Sequence, residues 1–216
     1  MPHNDSPQIK ICGITNYPDA VMAIDAGADL LGFNFYPQSK RYISVTDAQV
    51  IVRRLPPIVK IVGIFVDATV QEVIETARKV PLDVLQFHGN EDPNFLSQCR
   101  DWTIIKAFRL RNETEIDQLD AFVDLADYFL FDTYSATAAG GTGEIIDDQL
   151  VTVLAQRGLL AKGYLSGGLT PENISEKVLK YLPYGVDVAS GVERAPGRKD
   201  TAKVREFIAN AKSPKI

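Results

Sequence analysis

Short apolar runs alternate with longer stretches of mixed character along the whole chain. The clearest apolar run covers residues 58–66, IVKIVGIFV, which is rich in β-branched residues and is followed by Asp67. In residues 69–79, which come next, the apolar positions recur at the three- and four-residue spacing of one helix face. The two segments therefore predict a buried β-strand followed by an amphipathic helix.

The same strand-then-helix pattern occurs eight times, with short connections between its parts. Strands that alternate with helices in this way form parallel sheets, because each helix carries the chain back to the start of the next strand. Eight units favour an α/β fold of the closed (β/α)8 TIM barrel type, although the same alternation also builds open, doubly wound sheets. The predicted strands cover residues 9–11, 30–35, 58–66, 82–87, 103–108, 128–131, 163–165 and 185–189, and the predicted helices cover residues 18–26, 46–54, 69–79, 92–100, 113–122, 147–156, 171–181 and 200–211.

No shift in composition, low-complexity tract or long linker interrupts this series, so we predict one domain over residues 1–216. The polar first eight residues, MPHNDSPQ, are expected to form a flexible N-terminal extension over 1–8. Hydrophobic residues make up 45% of the chain, which is ordinary for a globular protein with one core. The sequence lacks a signal peptide and any apolar run of about 18 residues. We therefore expect a soluble, cytoplasmic protein without a membrane partner.

Charge and residue usage narrow the kinds of ligand. The formal net charge of −5 argues against non-specific binding to nucleic acid. The two cysteines, Cys12 and Cys99, have no metal-ligand spacing and are consistent with a reduced, intracellular protein. With only two histidines in the chain, we predict no metal site. Cys99 is expected to be part of a helix core.

Cys12 ends the first predicted strand in the segment IKICGIT, and Gly13 then opens a turn. In a parallel α/β protein this places the thiol at the carboxyl edge of the sheet, where ligands bind and chemistry occurs. The alternative is a structural role, because free cysteine is one of the most frequently buried residue types.

Two glycine-containing loops follow the last two predicted strands. The first, LSGGLTPENI, contains Gly167 and Gly168, and the second, DVASGVE, contains Ser190 and Gly191. Loops of this kind let an anion approach backbone amides, and the loops after strands seven and eight often bind phosphate in TIM barrels. The alternative is that both are ordinary turns.

Four ionisable residues lie at other predicted strand ends. Asp132 follows the apolar run YFLF, where shielding from water favours a protonated acid, although a helix cap is an equal alternative. Arg41, after the second strand, presents a planar fork for a carboxylate or a phosphate, or is a solvated surface residue. His88 follows LQF as a candidate ligand donor, and Asp187 lies in the last strand, where a buried acid needs a partner.

Taken together, these motifs resemble the phosphoribosylanthranilate isomerase family of tryptophan biosynthesis. The resemblance covers nearly the whole chain, and its motifs occur in the same order, each at a strand end or in the loop that follows. They are IKICGIT, GADLLGFNFYPQSKRYIS, VGIFVD, LQFHG, LFDT, GGTG, LSGGLTPENI and GVDVASGVERAPGRKD. The resemblance implies a TIM barrel that catalyses the Amadori rearrangement of N-(5-phosphoribosyl)anthranilate to the carboxyphenylamino-deoxyribulose phosphate.

The resemblance also implies roles for individual residues. Cys12 matches the family's general base, and Asp132 matches its general acid. Arg41 matches the arginine that meets the anthranilate carboxylate, with His88 beside the substrate and Asp187 facing the sugar. Gly167, Gly168, Ser190 and Gly191 match the phosphate site. Since the imine intermediate is itself the electron sink, no cofactor is implied.

Three positions depart from the family pattern. Lys40 replaces a common proline, Ala189 replaces a serine, and GGTG is followed by EIIDD, which makes the loop at 140–147 the least predictable part. Two other functions stay open at this point. One is a catalytically silent phosphate-binding barrel, and the other is the related isomerase of histidine biosynthesis, whose family pattern has an Asp/Asp pair in place of the Cys/Asp pair. An open-sheet nucleotide binder is disfavoured, because neither glycine-rich nucleotide motif follows a strand. The expected partner is a small phosphorylated substrate, and the protein is expected to be a monomer or a homodimer.

Overall fold

The computed structural model describes residues 6–133 and 147–215. Eight parallel strands follow one another around a closed barrel, and β1 pairs with β8 to close it. The predicted α/β barrel is confirmed, and the open-sheet alternative is excluded. The barrel strands are β1 Gln8–Cys12, β2 Leu30–Asn34, β3 Lys60–Phe65, β4 Val84–Phe87, β5 Thr103–Leu110, β6 Tyr128–Thr133, β7 Gly163–Leu165 and β8 Gly185–Val188.

Helices cover the outside of the barrel, and side-chain caps set where most of them begin. The N-terminus of α3 carries a capping box, in which Thr69 and Glu72 bond each other's backbone amides. In the described residues the α-helices are α1 Tyr17–Asp25, α2 Val45–Val52, α3 Val70–Lys79, α4 Pro93–Ser97, α5 Asp148–Gln156, α6 Ile174–Tyr181 and α7 Thr201–Lys212. None of the helices there is long and apolar enough to cross a membrane.

The fifth predicted helix is present with its predicted bounds, but it is not of the α type. Residues Glu113–Phe122 form a 3-10 helix, not an α-helix. Ile116 and Leu119 are buried there, and Phe122 packs against the same core. These three residues are spaced three apart, which matches the three-residue turn of a 3-10 helix. Shorter 3-10 helices occupy Leu159–Lys162 and Ser190–Val192.

Several boundaries also differ from the predicted ones. β1 begins at Gln8, whose amide donates to the Tyr184 carbonyl, so the last residue of the predicted extension belongs to the barrel. α4 is shorter than predicted and α6 begins later. Residues 1–5 of that extension lie outside the described residues, as does the 140–147 loop except for Asp147, which caps α5.

An unpredicted hairpin follows β8. Its strands, β9 Glu193–Ala195 and β10 Arg198–Lys199, pair antiparallel. Gly197 lies between them at a positive φ of 73°, and its carbonyl accepts a bond of 2.5 Å from the Thr15 hydroxyl. The hairpin therefore lies against the loop that follows β1.

The barrel interior contains both an apolar cluster and several polar side chains. The cluster consists of Leu30, Val62, Val84, Ile105, Ala107, Leu130 and Tyr164. Lys10 pairs with Leu30 and with Asp187, and Cys12 pairs with Gly32, so alternation turns Lys10, Cys12 and Asp187 inward. Gln86 pairs with Ile105 on the same inner face. The polar side chains therefore lie next to the apolar cluster, and Cys12 lies at the carboxyl end of its strand.

Candidate active site

A cavity opens at the carboxyl ends of the strands. It is the face on which TIM barrel enzymes carry their active sites. All but one of the predicted site residues line it, and the exception, Gly191, lies just behind it. The lining residues include Cys12, Arg41, His88, Asp132, Gly167, Gly168, Asp187 and Ser190 from the prediction, and Asn34, Ser39, Gln86 and Ser166 beside them.

Cys12 lies at the end of β1 beside a buried ion pair. The Lys10 ammonium is fully buried and donates to Asp187 Oδ1 at 2.8 Å. The charge of the same ammonium also acts on the thiol of Cys12, two residues further along the same strand. Ser166 at the end of β7 approaches the other carboxylate oxygen of Asp187 at 3.4 Å. The thiol therefore lies next to a cation that is itself fixed by a carboxylate.

Some of the groups around Cys12 raise the pKa of its thiol, and others lower it. Burial raises the pKa of Cys12, and the negative charge of Asp187 raises it further. The positive charges of Lys10, Lys199 and Arg41 oppose this, but the pKa still lies above its ordinary value. In the ligand-free protein the thiol is therefore protonated at neutral pH, and three cations stand near the sulfur where a thiolate would form.

Arg41 is held by a carboxylate from the hairpin. Its Nε donates to Glu193 Oε1 at 2.9 Å, and Nη2 donates to Oε2 at 2.8 Å. This bidentate pair uses one edge of the guanidinium and leaves the Nη1 edge for a ligand. The guanidinium stem also lies over Gly13, where a side chain would collide with Arg41 Cδ.

Lys199 joins the hairpin to the ends of β1 and β8. The side chain is fully buried, and its ammonium donates to the carbonyl of Cys12 at 2.6 Å, to that of Ala189 at 3.1 Å, and to Glu193 Oε1 at 3.0 Å. Burial lowers the pKa of Lys199, and the Glu193 carboxylate offsets this only in part. For Glu193, burial raises the pKa, but Arg41 and Lys199 outweigh it and hold the pKa below its ordinary value.

Asp132 lies in β6, buried, with His88 beside it. His88 Nε2 is 3.4 Å from Asp132 Oδ2, and His88 Nδ1 is 3.4 Å from the side-chain amide nitrogen of Gln86. The carboxyl group is therefore shielded from water, as the sequence predicts, and lies beside a histidine side chain. Within residues 6–133 and 147–215, His, Cys, Asp and Glu side chains form no group of three that could hold a metal ion.

The glycine loops after β7 and β8 lie side by side. Gly167 and Gly168 adopt positive φ angles of 86° and 64°, which only glycine takes readily. Asn173 fixes the first loop, because its amide donates to the Gly168 carbonyl at 2.9 Å. Gly191 packs directly on the Leu169 carbonyl, and a side chain at Gly191 would collide with that oxygen. Both loops therefore expose backbone to the cavity at close range.

The model of one protein family, "PRAI: N-(5'phosphoribosyl)anthranilate (PRA) isomerase", matches residues 9–210. The chain belongs to this family. It is 47% identical over 205 residues to the N-(5'-phosphoribosyl)anthranilate isomerase of Geotalea uraniireducens, and the alignment covers 95% of this chain and 98% of that protein.

Solved structures of this isomerase family have the same fold. The phosphoribosyl anthranilate isomerase of Thermotoga maritima superposes with a TM-score of 0.86 at 37% identity, covering 95% of this chain and 98% of that one. A complex with reduced 1-(o-carboxyphenylamino)-1-deoxyribulose 5-phosphate has a TM-score of 0.83 at 36% identity, covering 95% and 98%. A third structure contains monomers generated from the dimeric Thermotoga maritima enzyme, with a TM-score of 0.83 at 36% identity, covering 96% and 99%.

Three residues of this isomerase site were missed from the sequence although a signal for two of them was present. Lys10 and Gln86 are single polar residues inside otherwise apolar strands, two positions before Cys12 and His88 respectively. Because strand side chains alternate, this spacing places each on the same face as a candidate site residue. Glu193 lies beyond the last predicted strand, and nothing local indicates that it meets Arg41.

Proposed function

We propose that the protein isomerises N-(5'-phosphoribosyl)anthranilate in tryptophan biosynthesis, with Cys12 as general base and Asp132 as general acid. The assignment of the reaction is supported by the chain's membership of the isomerase family. The roles rest on one observation, that Cys12 and Asp132 line the same cavity as the two glycine loops. β1 and β6 are three strands apart around the barrel, so the thiol and the carboxyl group approach a ligand from different sides.

In this proposal the reaction begins at Asp132. Its buried carboxyl group donates a proton to the ribose ring oxygen, and the C1'–O bond breaks to give a protonated imine. The positive charge of the imine then joins Lys10, Lys199 and Arg41 near the Cys12 sulfur, and it favours the thiolate that burial opposes in the free protein. The thiolate removes the C2' proton, which gives an enolamine. The enol hydroxyl then gives its proton to the Asp132 carboxylate, and the Cys12 thiol gives its proton to C1', so the ketone forms and the acid and the thiolate are both regenerated.

The remaining predicted residues hold the substrate. The free Nη1 edge of Arg41 binds the anthranilate carboxylate, while Glu193 holds the opposite edge. Asp187 and His88 face the sugar. The backbone amides around Gly167, Gly168, Ser190 and Gly191 bind the phosphate.

The expected partner is thus a small phosphorylated substrate, and within the family a dimeric enzyme and monomers generated from it are both known. We place the protein in the cytoplasm as a monomer or homodimer, acting on neither nucleic acid nor membrane. Both cysteines are free, which fits a reducing compartment.

The test follows the fluorescence of phosphoribosylanthranilate, generated in situ, as the purified protein consumes it. Cys12→Ala and Asp132→Asn should each lower kcat by roughly 10² to 10⁴. Cys99→Ala removes the other thiol, which is fully buried in the core, and should retain activity. Binding of the phosphorylated substrate by the wild-type protein without turnover would contradict the activity. Near wild-type turnover by either site variant would contradict the role of that residue.

A further inference from the structure

Among the residues that the structure describes, three buried side-chain polar atoms have no hydrogen-bond partner. They are Gln86 Oε1, His88 Nε2 and Arg109 Nε, and the first two belong to residues that line the cavity with Asp132. Gln86 is 1% exposed, lies in β4, and lines the cavity with His88 and Asp132. Unpaired buried polar atoms are rare and usually have a functional explanation. The steps proposed above do not use Gln86.

The contact between Gln86 and His88 bears on which ring nitrogen carries the proton. The side-chain nitrogen of Gln86 lies 3.4 Å from His88 Nδ1. An amide nitrogen donates but does not accept, so this orientation of the Gln86 amide calls for an acceptor at Nδ1. In the corresponding tautomer the ring proton is on Nε2, which lies 3.4 Å from Asp132 Oδ2.

The backbone around His88 is fixed independently of this contact. Arg109 Nη2 donates to the His88 carbonyl at 2.7 Å, and Lys106 donates to the Gly89 carbonyl at 2.8 Å. Glu91 accepts from the Gly89 amide at 3.0 Å. Because these bonds hold the main chain, the contact with Gln86 is left to select the orientation and tautomer of the ring.

We propose that Gln86 is a positioning residue that holds His88 as its Nε2–H tautomer, so that this N–H bonds the Asp132 carboxylate as it forms. When Asp132 delivers its proton to the ribose ring oxygen, negative charge develops on its carboxylate oxygens. The Nε2–H group stands within reach and shortens its distance to Oδ2, as catalytic hydrogen bonds do on the way to the transition state. The inference rests on the proposed role of Asp132 and assigns a function to two residues around it.

The tautomer is measured by long-range ¹H–¹⁵N NMR of the histidine rings in the ligand-free protein. The chain has two histidines, so a His3→Gln variant assigns the His88 signals. Wild-type protein should show a protonated Nε2. Gln86→Glu presents only acceptor oxygens to Nδ1 and should move the proton to Nδ1. Gln86→Met, which has no donor and a similar length, keeps the test available if the buried charge prevents folding.

The kinetic effect should fall on kcat. We expect Gln86→Met and Gln86→Glu to lower kcat by about ten- to hundredfold. Losses of this size follow at metal sites when a residue that hydrogen-bonds a metal ligand is replaced. The KM should change little, because Arg41 and the glycine loops are untouched. Gln156→Met, at an exposed position of α5, is the matched control and should change neither tautomer nor rate.

A protonated Nδ1 in the wild-type protein, an unchanged tautomer in Gln86→Glu, or wild-type kcat in Gln86→Met would each overturn the inference. The NMR measurement needs neither substrate nor turnover. It therefore stays informative if Asp132→Asn proves active, which is the result that would remove the proposed role of Asp132.

Discussion

The two halves of the cavity are built from different chemistry. On the base side, around Cys12, charged groups pair with one another: Lys10 with Asp187, and Glu193 with both Arg41 and Lys199. On the acid side, His88 lies against Asp132 and Gln86 lies against His88, and in the described part of the chain one polar atom of each of these two side chains has no hydrogen-bond partner. The groups around the thiol are joined by ion pairs, whereas the contact described for the Asp132 carboxyl group is with an imidazole.

The difference matches what each side must do in the proposed reaction. A thiol in a buried place gives up its proton only if positive charge is already there, and paired charges can be held in position before substrate binds. A carboxylic acid must instead stay protonated until the ring opens, and a cation beside it would ionise it too early. A neutral donor such as His88 Nε2–H can stabilise the carboxylate afterwards without that disadvantage.

The largest expected effect comes from removing a carboxylate on the base side. Glu193→Gln leaves Arg41 and Lys199 without their counter-charge in a buried place and should lower the free energy of unfolding by about 3 to 5 kcal/mol at neutral pH. The pKa of Glu193 is lowered by folding, so its contribution is full above the ordinary glutamate pKa and is lost as pH falls through the lowered value. Urea unfolding at pH 7 and pH 4 should show the difference from wild type shrinking at the lower pH.

If the difference between Glu193→Gln and wild type instead stayed constant over that pH range, the ion pairs would not be its source. A parallel loss of affinity for the substrate is expected, because Arg41 would no longer be held at one edge. An unchanged KM in a folded Glu193→Gln protein would contradict that link.

A smaller effect is expected on the pKa of Cys12, which should shift in opposite directions in two variants. Lys10→Met removes a cation and leaves Asp187 uncompensated, so it should raise the pKa of Cys12. Asp187→Asn removes an anion and should lower that pKa. Each shift should be about one unit or more. The pH dependence of alkylation by iodoacetamide measures it, since the thiolate is the reacting form.

Cys99 serves as the internal control in that experiment. It is fully buried, and burial raises the pKa of its thiol to about 11, so it should stay unmodified at neutral pH. Shifts of equal sign in Lys10→Met and Asp187→Asn would show that the charges around Cys12 do not govern its ionisation.

The smallest change in the free energy of unfolding is expected at a second carboxylate that bonds two cations, because this one is exposed to solvent. Asp148 at the start of α5 bonds Lys177 and Lys180, as Glu193 bonds two cations, but its side chain is 42% exposed. Bonds from the two lysines lower the pKa of Asp148 to about 2. Because solvent screens the pairs, Asp148→Asn should lower the free energy of unfolding by less than about 1 kcal/mol at pH 7. Below pH 2 even that difference should vanish, which urea unfolding would check.

Much of the fold follows from periodicity alone, because each strand and helix buries one recognisable face. The strands, the helices and the barrel are predicted correctly where the apolar spacing within one segment determines its secondary structure. In Glu113–Phe122 the predicted helix is present with its predicted bounds, and the three-residue spacing of Ile116, Leu119 and Phe122 makes it a 3-10 helix. The periodicity gave no sign of the hairpin of β9 and β10, whose short strands are stabilised by contacts with the loop after β1 and not by their own pattern.

Within the site, the strand-end rule brought together Cys12, His88, Asp132 and Asp187 in one cavity. Their proposed roles come from the family resemblance and remain predictions. The rule could not find Glu193, because pairing with Arg41 joins residues that are 152 positions apart. Contacts of that kind depend on the closed barrel and have no local signature.

The bond from Lys199 to the Cys12 carbonyl spans 187 positions of the chain. During synthesis Cys12 is therefore made long before Lys199. Closing so long a loop costs conformational entropy, which slows folding, and the contact can form only after β8 has docked against β1. A chain that stops short of Lys199 would carry the reactive residues without their geometry. Activity in this protein should thus appear late and abruptly as the chain lengthens, and in a folding experiment it should report closure of the barrel better than helix content does.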